Sequence, residues 1–347
     1  MSSDNGSQDA DRSAIEIERA KSGFLYKEDV APGLTMEMEL KRILISTSSP
    51  YQKVDVVETY FGKTLVTDGK TQSTEFDEFA YHESLVHPSL LKVSNSGSAP
   101  KVVFIGGGGE LATAREVLRH ASVARVVMVD LDAKVVEVSE KYLPEWGGQS
   151  VLTDPRFELV IGDAYGYLLK TEEMFDVVIM DISDPIEAGP GVMLYTKEFY
   201  EHAVTRLNPN GVFVTQGGTA ESIPSAVVKV HDIDPSCFAP IYNTLKAVFH
   251  CVVPYTTHIP SFGGDWGFIM AFNDDGNPAT DQERAWKIPD EDAVNALVHK
   301  QITGGSDALK FYDGTTHLRM FALTKPLRNY MAQDERIMTR ENPIFMY

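Results

Sequence analysis

The stretch "KVVFIGGGGELATARE", residues 101–116, decides the fold. A β-branched run ending at Ile105 passes into four glycines, and a helix-forming stretch follows. Strand, glycine-rich turn and helix in that order open a βαβ unit. Glycines let the backbone approach a ligand, and a helix start favours negative charge. Yet Glu110 stands where a pyrophosphate would need backbone N–H groups, so the dinucleotide pattern does not apply. The turn suits a nucleoside without phosphates, such as an S-adenosyl compound. A merely tight βα turn is the other reading.

Working outward, the alternation continues. The runs "RVVMVD" (125–130), "FELVIGD" (157–163), "FDVVIMD" (175–181), "GVFVTQ" (211–216), "CVVPYT" (251–256) and "WGFIMAF" (266–272) are separated by helical stretches or turns. Continuous apolar strands alternating with helices predict a mostly parallel sheet covered on both faces. Upstream, "LTMEMELKRILISTSS" and "QKVDVVETYFGKTLVTDGKTQST" alternate apolar and polar residues at period two, which predicts a small antiparallel unit. The expected layout is an acidic disordered tail (1–22), an N-terminal β domain (23–80), an α/β catalytic domain (81–275) and a C-terminal covering segment (276–347). That last segment reads as a polar loop, one helix around "DEDAVNALVHKQI", and a cover.

The chain has 347 residues, 43% of them hydrophobic, and a formal net charge of -19. Such acidity argues against a nucleic-acid partner, because phosphates want a basic face, and it favours cationic ligands or simply solubility. Two cysteines without metal-type neighbours imply a reducing compartment, and the cytoplasm is the default. No apolar run approaches the length of a membrane span. The histidines show no metal spacing, so no metal site is expected.

Acids gather where the strands end. Asp130 ends the second strand, where it can accept both ribose hydroxyls of a nucleoside; capping the next helix is the alternative, a task that suits Asp132 better. Asp163 ends the third, where it either reads an adenine amino group or caps a helix. In "VVIMDISDPIEAGP" (177–190), Asp181, Asp184 and Glu187 follow a buried strand. With Glu110 they crowd one rim, and like charges so close call for a cation among them. The segment 68–83 adds polar groups that can orient a ligand: Gln72, Tyr81 and His82. A lone histidine such as His82 is usually structural.

Together these motifs resemble the polyamine aminopropyltransferases, the spermidine and spermine synthase family, over roughly residues 35–275. The pieces that carry the resemblance are "LVTDGKTQSTEFDEFAYHE", the Gly-Gly-Gly-acid turn, "DISDP" and "LYTKEFY". Several others, among them "DPIEAGPGVMLYTKEFY" and "VVPYTTHIPSFGGDWGFIMA", are most similar to thermospermine synthases. The resemblance implies a methyltransferase-like (Rossmann-like) seven-stranded sheet carrying a small N-terminal β domain, and a homodimer or homotetramer. It implies transfer of an aminopropyl group from decarboxylated S-adenosylmethionine, a co-substrate, to a polyamine, with no cofactor. Spermidine is the expected acceptor and thermospermine the product; spermidine synthesis from putrescine, spermine synthesis and a small-molecule methyltransferase are the alternatives.

The site residues carried over are these. Gln52 and Asp130 hold the donor ribose, and Asp163 with Ala164 reads the adenine. Gly107, Gly108 and Gly109 approach the donor, and His82 is counted beside it. Glu110 and Asp181 meet the ammonium of its aminopropyl chain. Asp181 with Tyr81 accepts the proton of the attacking amine. Gln72, Tyr81, Asp184, Gln216 and Tyr255 line the acceptor groove. Glu187 meets an extra ammonium of a longer acceptor or is a solvated loop acid. Three positions depart from the family pattern: Glu110 replaces its usual aspartate, Leu111 a common glycine and Phe76 a common arginine.

Overall fold

The computed structural model describes residues 23–31, 34–95, 97, 99–187, 189, 191–220, 236–273 and 287–346. The expected tail (1–22) and most of the polar loop that opens the C-terminal segment lie outside these residues.

Strands β1 (Leu25–Ala31) and β2 (Leu34–Glu39) form an antiparallel pair. Strands β3 (Arg42–Ser48), β4 (Lys53–Thr59), β5 (Gly62–Thr67) and β6 (Lys70–Thr74) form a four-stranded antiparallel sheet in that order. Between β5 and β6 only Asp68 and Gly69 intervene, both left-handed, which is the chemistry a two-residue hairpin demands. Period-two alternation fails in β4, where Val54 through Val57 are all buried. Its sheet packs on the catalytic domain: Val54, Val56 and Leu65 meet Ala112, Val135, Val138 and Trp146.

The second sheet has seven strands: β7 (Val102–Gly107), β8 (Arg125–Asp130), β9 (Phe157–Ile161), β10 (Phe175–Asp181), β11 (Leu207–Thr219), β12 (Cys251–Ile259) and β13 (Gly264–Phe272). Their order is β12-β13-β11-β10-β7-β8-β9. The pairings from β11 to β9 are parallel, and β13 runs antiparallel to both its neighbours. The apolar runs serve two faces at once. Val103, Ile105, Val177 and Ile179 pack into one core, while Phe104, Val178 and Met180 pack into the other. Chain order reverses between β7 and β10, and ligands in such sheets bind beyond the carboxyl ends of the strands at that point.

The helix Glu78–Asn95 spans position 80/81, where the sequence places a domain boundary, and carries Pro88 inside it. In the C-terminal segment the expected helix, Glu291–Gln301, is joined by two more, Gly314–Phe321 and Lys325–Gln333. These two have only eight and nine residues, too few to show a clear period. Side-chain caps define their starts: Asp313 accepts from the Thr316 amide and Thr324 from the Leu327 amide. The amides of Lys310, Phe311 and Tyr312 tie this cover to the buried Glu83 carboxylate at 2.8–2.9 Å. Among the described residues no helix is long and apolar enough to cross a membrane.

Two turn residues show what the β7 end requires. Gly107 has φ 83°, and a Cβ there would lie 2.1 Å from the Asp181 carbonyl oxygen, so only glycine fits. Leu111 also sits in the left-handed region (φ 76°), although it has a side chain. That side chain is fully buried among apolar neighbours. Burial holds the leucine where backbone preference would choose glycine. Leu111→Ala loses the packing and keeps the strain, at a cost of about 2–5 kcal/mol. Leu111→Gly also loses the packing but releases about 1 kcal/mol of left-handed strain relative to alanine. Chemical denaturation of the three proteins is expected to rank wild type above Leu111→Gly above Leu111→Ala. A Gly variant more stable than wild type would show that the backbone strain outweighs the packing.

Candidate active site

Asp181 is the last residue of β10 and pairs in register with Gly107 of β7. The amide of Gly108 donates to its carbonyl oxygen at 3.0 Å, which joins the glycine turn to the end of β10. Its carboxylate is shared between two hydroxyl donors. Tyr81 donates to Oδ1 at 2.9 Å and Thr113 to Oδ2 at 2.5 Å. Burial first, and then the Glu110 charge, push the Asp181 carboxyl above the usual carboxylate range. Burial and the neighbouring Asp181 push Tyr81 far up as well, so Tyr81 stays a neutral donor.

Glu110 leaves the turn beside Asp181 and is tied back by His82, whose Nε2 lies 3.0 Å from Glu110 Oε1. His82 Nδ1 lies 2.6 Å from the Glu78 carbonyl oxygen and 3.0 Å from Glu78 Oε2. Arg115 clasps both Glu78 oxygens at 2.8 and 3.1 Å and reaches Glu116 at 2.6 Å. Acids at the rim are therefore less bare than the sequence suggested. One of them, Glu110, already has a cationic neighbour inside the fold.

Two clefts meet here. The first, about 840 Å³ with its open mouth included, runs along the ends of β7, β8 and β10. Gln52, Gly107, Gly108, Gly109, Glu110, Asp130, Asp163, Ala164 and Asp181 all line it, as the sequence placed them. Asp132 caps the helix Ala133–Tyr142 through Oδ1, as expected, and its Oδ2 accepts from Ser49 and from Gln52 at 2.6 and 3.0 Å. Asp132 thus sets the orientation of Gln52 across the domain junction. Asp130 accepts from the Asp132 amide at 2.8 Å, and burial raises its carboxyl to about 6. Asp163 does cap its helix, accepting from the Tyr165 and Gly166 amides at 3.0 Å. It lines the cleft at the same time, so the two readings of Asp163 describe one residue.

The second cleft, about 1680 Å³ with open space included, lies between the N-terminal strands and the β10 and β11 ends. Gln72, Tyr81, Asp184, Glu187 and Gln216 line it. Gln216 donates to Asp184 Oδ1 at 3.0 Å and to the Ile182 carbonyl at 2.8 Å. Burial raises the Asp184 carboxyl to about 6. Glu187 is exposed at the mouth. The two clefts share Gln72, Glu110 and Asp181 among their walls, so a molecule in each would meet at Asp181.

Two assignments need correction. Tyr255 does not line the groove: it is fully buried, donates to the Ser84 carbonyl at 3.0 Å, and stacks on Phe268 with centroids 5.5 Å apart. Its strand position was right, but the side chain faces the helix Glu78–Asn95. His82 likewise lines neither cleft, because both of its ring nitrogens are engaged inside the fold. Phe76 is largely exposed, with its ring 5.7 Å from Phe61. Sequence reasoning missed Thr113, the second brace on Asp181, which follows the glycine turn by only a few residues. It also missed Glu28 and Asp29 of β1 and Asp68 of the β5–β6 turn, which add acids to the second cleft. Nothing in a polar edge strand marks such residues as facing a site.

Comparison with known proteins agrees with this geometry. Residues 78–283 match the family described as spermine/spermidine synthase domain, and residues 24–75 match the spermidine synthase tetramerisation domain. A polyamine aminopropyltransferase of Sulfurisphaera tokodaii is 42% identical over 88% of this chain and 92% of its own. The thermospermine synthase ACAULIS5 of Arabidopsis thaliana is 36% identical over 93% and 87%. The crystal structure of a spermidine synthase in complex with the transition-state analogue AdoDATO superposes with a TM-score of 0.74, at 29% identity, covering 90% of this chain and 97% of that one. The spermidine synthase of Thermotoga maritima gives 0.73 at 28% identity over 90% and 96%. With this Rossmann-like sheet and its small antiparallel β unit, the chain belongs to the spermine/spermidine synthase family, the polyamine aminopropyltransferases.

Proposed function

We propose that this chain moves the aminopropyl group of decarboxylated S-adenosylmethionine onto spermidine, giving thermospermine and methylthioadenosine. The observation that carries the acceptor choice is the part of the groove beyond the donor cleft. Glu28, Asp29, Asp68, Asp184 and Glu187 line it, with Lys70 as the one basic side chain among the described lining residues. Such a wall suits an acceptor with several ammonium groups spaced along a chain. Similarity to a thermospermine synthase supports the same choice.

The donor lies in the first cleft with its ribose on Asp130 and Gln52, its adenine at Asp163 and Ala164, and its ammonium between Glu110 and Asp181. An S-adenosylmethionine that kept its carboxylate would meet those two acids and be repelled. The acceptor amine attacks the carbon next to sulfur. The N–C bond forms as the C–S bond breaks, and the bonding electrons stay on sulfur, so a neutral thioether leaves. No acid, metal or cofactor is required for that departure. An alkylammonium has a pKa of roughly 10, like lysine, so the nucleophile must first lose a proton. Asp181 takes it. Burial lifts the Asp181 carboxyl, which makes it a stronger base than a solvated aspartate, and the Tyr81 and Thr113 hydroxyls hold it in line. Alignment of amine, carbon and sulfur contributes most of the remaining acceleration. The working form is a cytoplasmic homodimer or homotetramer joined through its N-terminal strands.

The test is a product assay with decarboxylated S-adenosylmethionine and either spermidine or putrescine, using a separation that resolves spermine from thermospermine. Thermospermine from spermidine, with little reaction on putrescine, supports the reading. Spermidine from putrescine would keep the mechanism and overturn the acceptor. In the same assay Asp181→Asn is expected to lower kcat by about 10²–10⁴, the usual contribution of a positioned base. Tyr81→Phe, which leaves the carboxylate in place, should cost far less. A third expectation concerns pH. The Asp184 carboxyl is held at about 6, so it is ionised above that pH and neutral below it. The KM for the polyamine should therefore rise as pH falls through about 6, and Asp184→Asn should remove that dependence.

A further inference from the structure

His82 is buried between two carboxylates and lines neither cleft. Each of its ring nitrogens has an acceptor as partner: Glu110 Oε1 on Nε2, and the carbonyl and carboxylate of Glu78 on Nδ1. A neutral imidazole has one N–H and could satisfy one side only. An imidazolium satisfies both. The arrangement continues behind it, since Arg115 holds both Glu78 oxygens and also reaches Glu116. Glu78 is thereby fixed as a carboxylate facing His82.

We propose that His82 is a permanently charged positioning residue: it fixes Glu110 beside the donor ammonium, and its positive charge keeps Asp181 ionised for proton acceptance. The inference rests on the reading of Asp181 as the base. Asp181 is faced by Tyr81 and His82 from the helix Glu78–Asn95, by Glu110 from the glycine turn and by Thr113 from the helix Ala112–Leu118. Tyr81 and Thr113 contribute neutral hydroxyls. Glu110 contributes a like charge, and two carboxylates so placed tend to share one proton and lose the base. Of the groups named, only His82 brings a positive charge against that tendency. Burial disfavours the charged ring, but hydrogen bonds to Glu110 and Glu78 outweigh it and raise the ring to about 10. His82 therefore stays charged across the working range of the enzyme. The same charge acts on Asp181 to lower its carboxyl, against burial and Glu110.

Two measurements on the full-length protein test this. First, ring nitrogen chemical shifts of ¹⁵N-histidine-labelled wild type, with His82 assigned by its loss in His82→Gln, should report an imidazolium at pH 8. A neutral ring at that pH overturns the proposal, and the wild-type spectrum does not depend on how the variant folds. Second, methylthioadenosine release is followed against pH for wild type, His82→Gln and Asp181→Asn. Glutamine keeps a polar group between Glu78 and Glu110 but removes the charge. The acid limb of kcat/KM should then move up by about one pH unit, as expected for losing a unit charge in a poorly solvated cleft. A purely structural His82 would lower activity evenly and leave the limb in place, which overturns the inference. If Asp181→Asn retains wild-type turnover, the base assignment itself fails, and the inference falls with it.

Discussion

The hydrogen bond from the Gly108 amide to the Asp181 carbonyl is the constraint on which the site depends. It exists because β7 and β10 are neighbours, although two strands separate them in the chain. That adjacency brings the glycine turn, with Glu110, against the end of β10, with Asp181. Any side chain at Gly107 would strike the Asp181 carbonyl oxygen and force the two ends apart. The apolar interiors of β7 and β10, buried on both faces, fix the register that makes the contact possible. Core packing, backbone conformation and the placement of two acids are thus one geometric requirement.

Electrostatics divides the site into an inner and an outer part. Carboxylates are costly to bury unless something compensates their charge. On the inner side the protein supplies the compensation itself, through His82 and Arg115 around Glu78, Glu110 and Glu116. On the cleft side Asp130, Asp181 and Asp184 carry raised carboxyls because burial penalises their charge. A polyamine or aminopropyl ammonium relieves that penalty when it binds. Binding energy then comes partly from strain already present in the folded protein, and a neutral ligand of the same shape could not collect it.

Much of this was legible in the sequence. All seven strands of the main sheet were marked by apolar runs, because strands buried on both faces leave no room for polar residues. Acids at strand ends were legible for a related reason: an abrupt change from Met180 to Asp181 has few structural explanations. Side-chain direction was not legible. Tyr255 sits on the right strand and points the wrong way, because it stacks on Phe268 and bonds to Ser84, partners far away in sequence. His82 was seen as a polar residue near the site, but its two carboxylate partners come from Glu78, one helical turn back, and Glu110, which follows in another element. Thr113, Glu28 and Asp29 were silent because their neighbourhood is made by the meeting of two domains.

The charge carried by the substrates gives a final reason for grading the acids by depth. On the proposed reaction the donor brings a sulfonium and an ammonium, and the acceptor brings several more ammoniums. Two such cations repel, so the acids must first hold them together. The polyamine product leaves with one more amine than the acceptor had, while the nucleoside product is neutral. Acids that bind the acceptor therefore bind the product at least as well, and uniform binding of both does not speed the reaction. The structure places the tightly buried acid, Asp181, at the point of bond making and leaves Glu187 exposed at the mouth. An exposed ion pair contributes little, on the order of 0–1 kcal/mol. It can guide a long polycation into register without holding it, so strong electrostatics is confined to the atoms whose charge changes during the reaction.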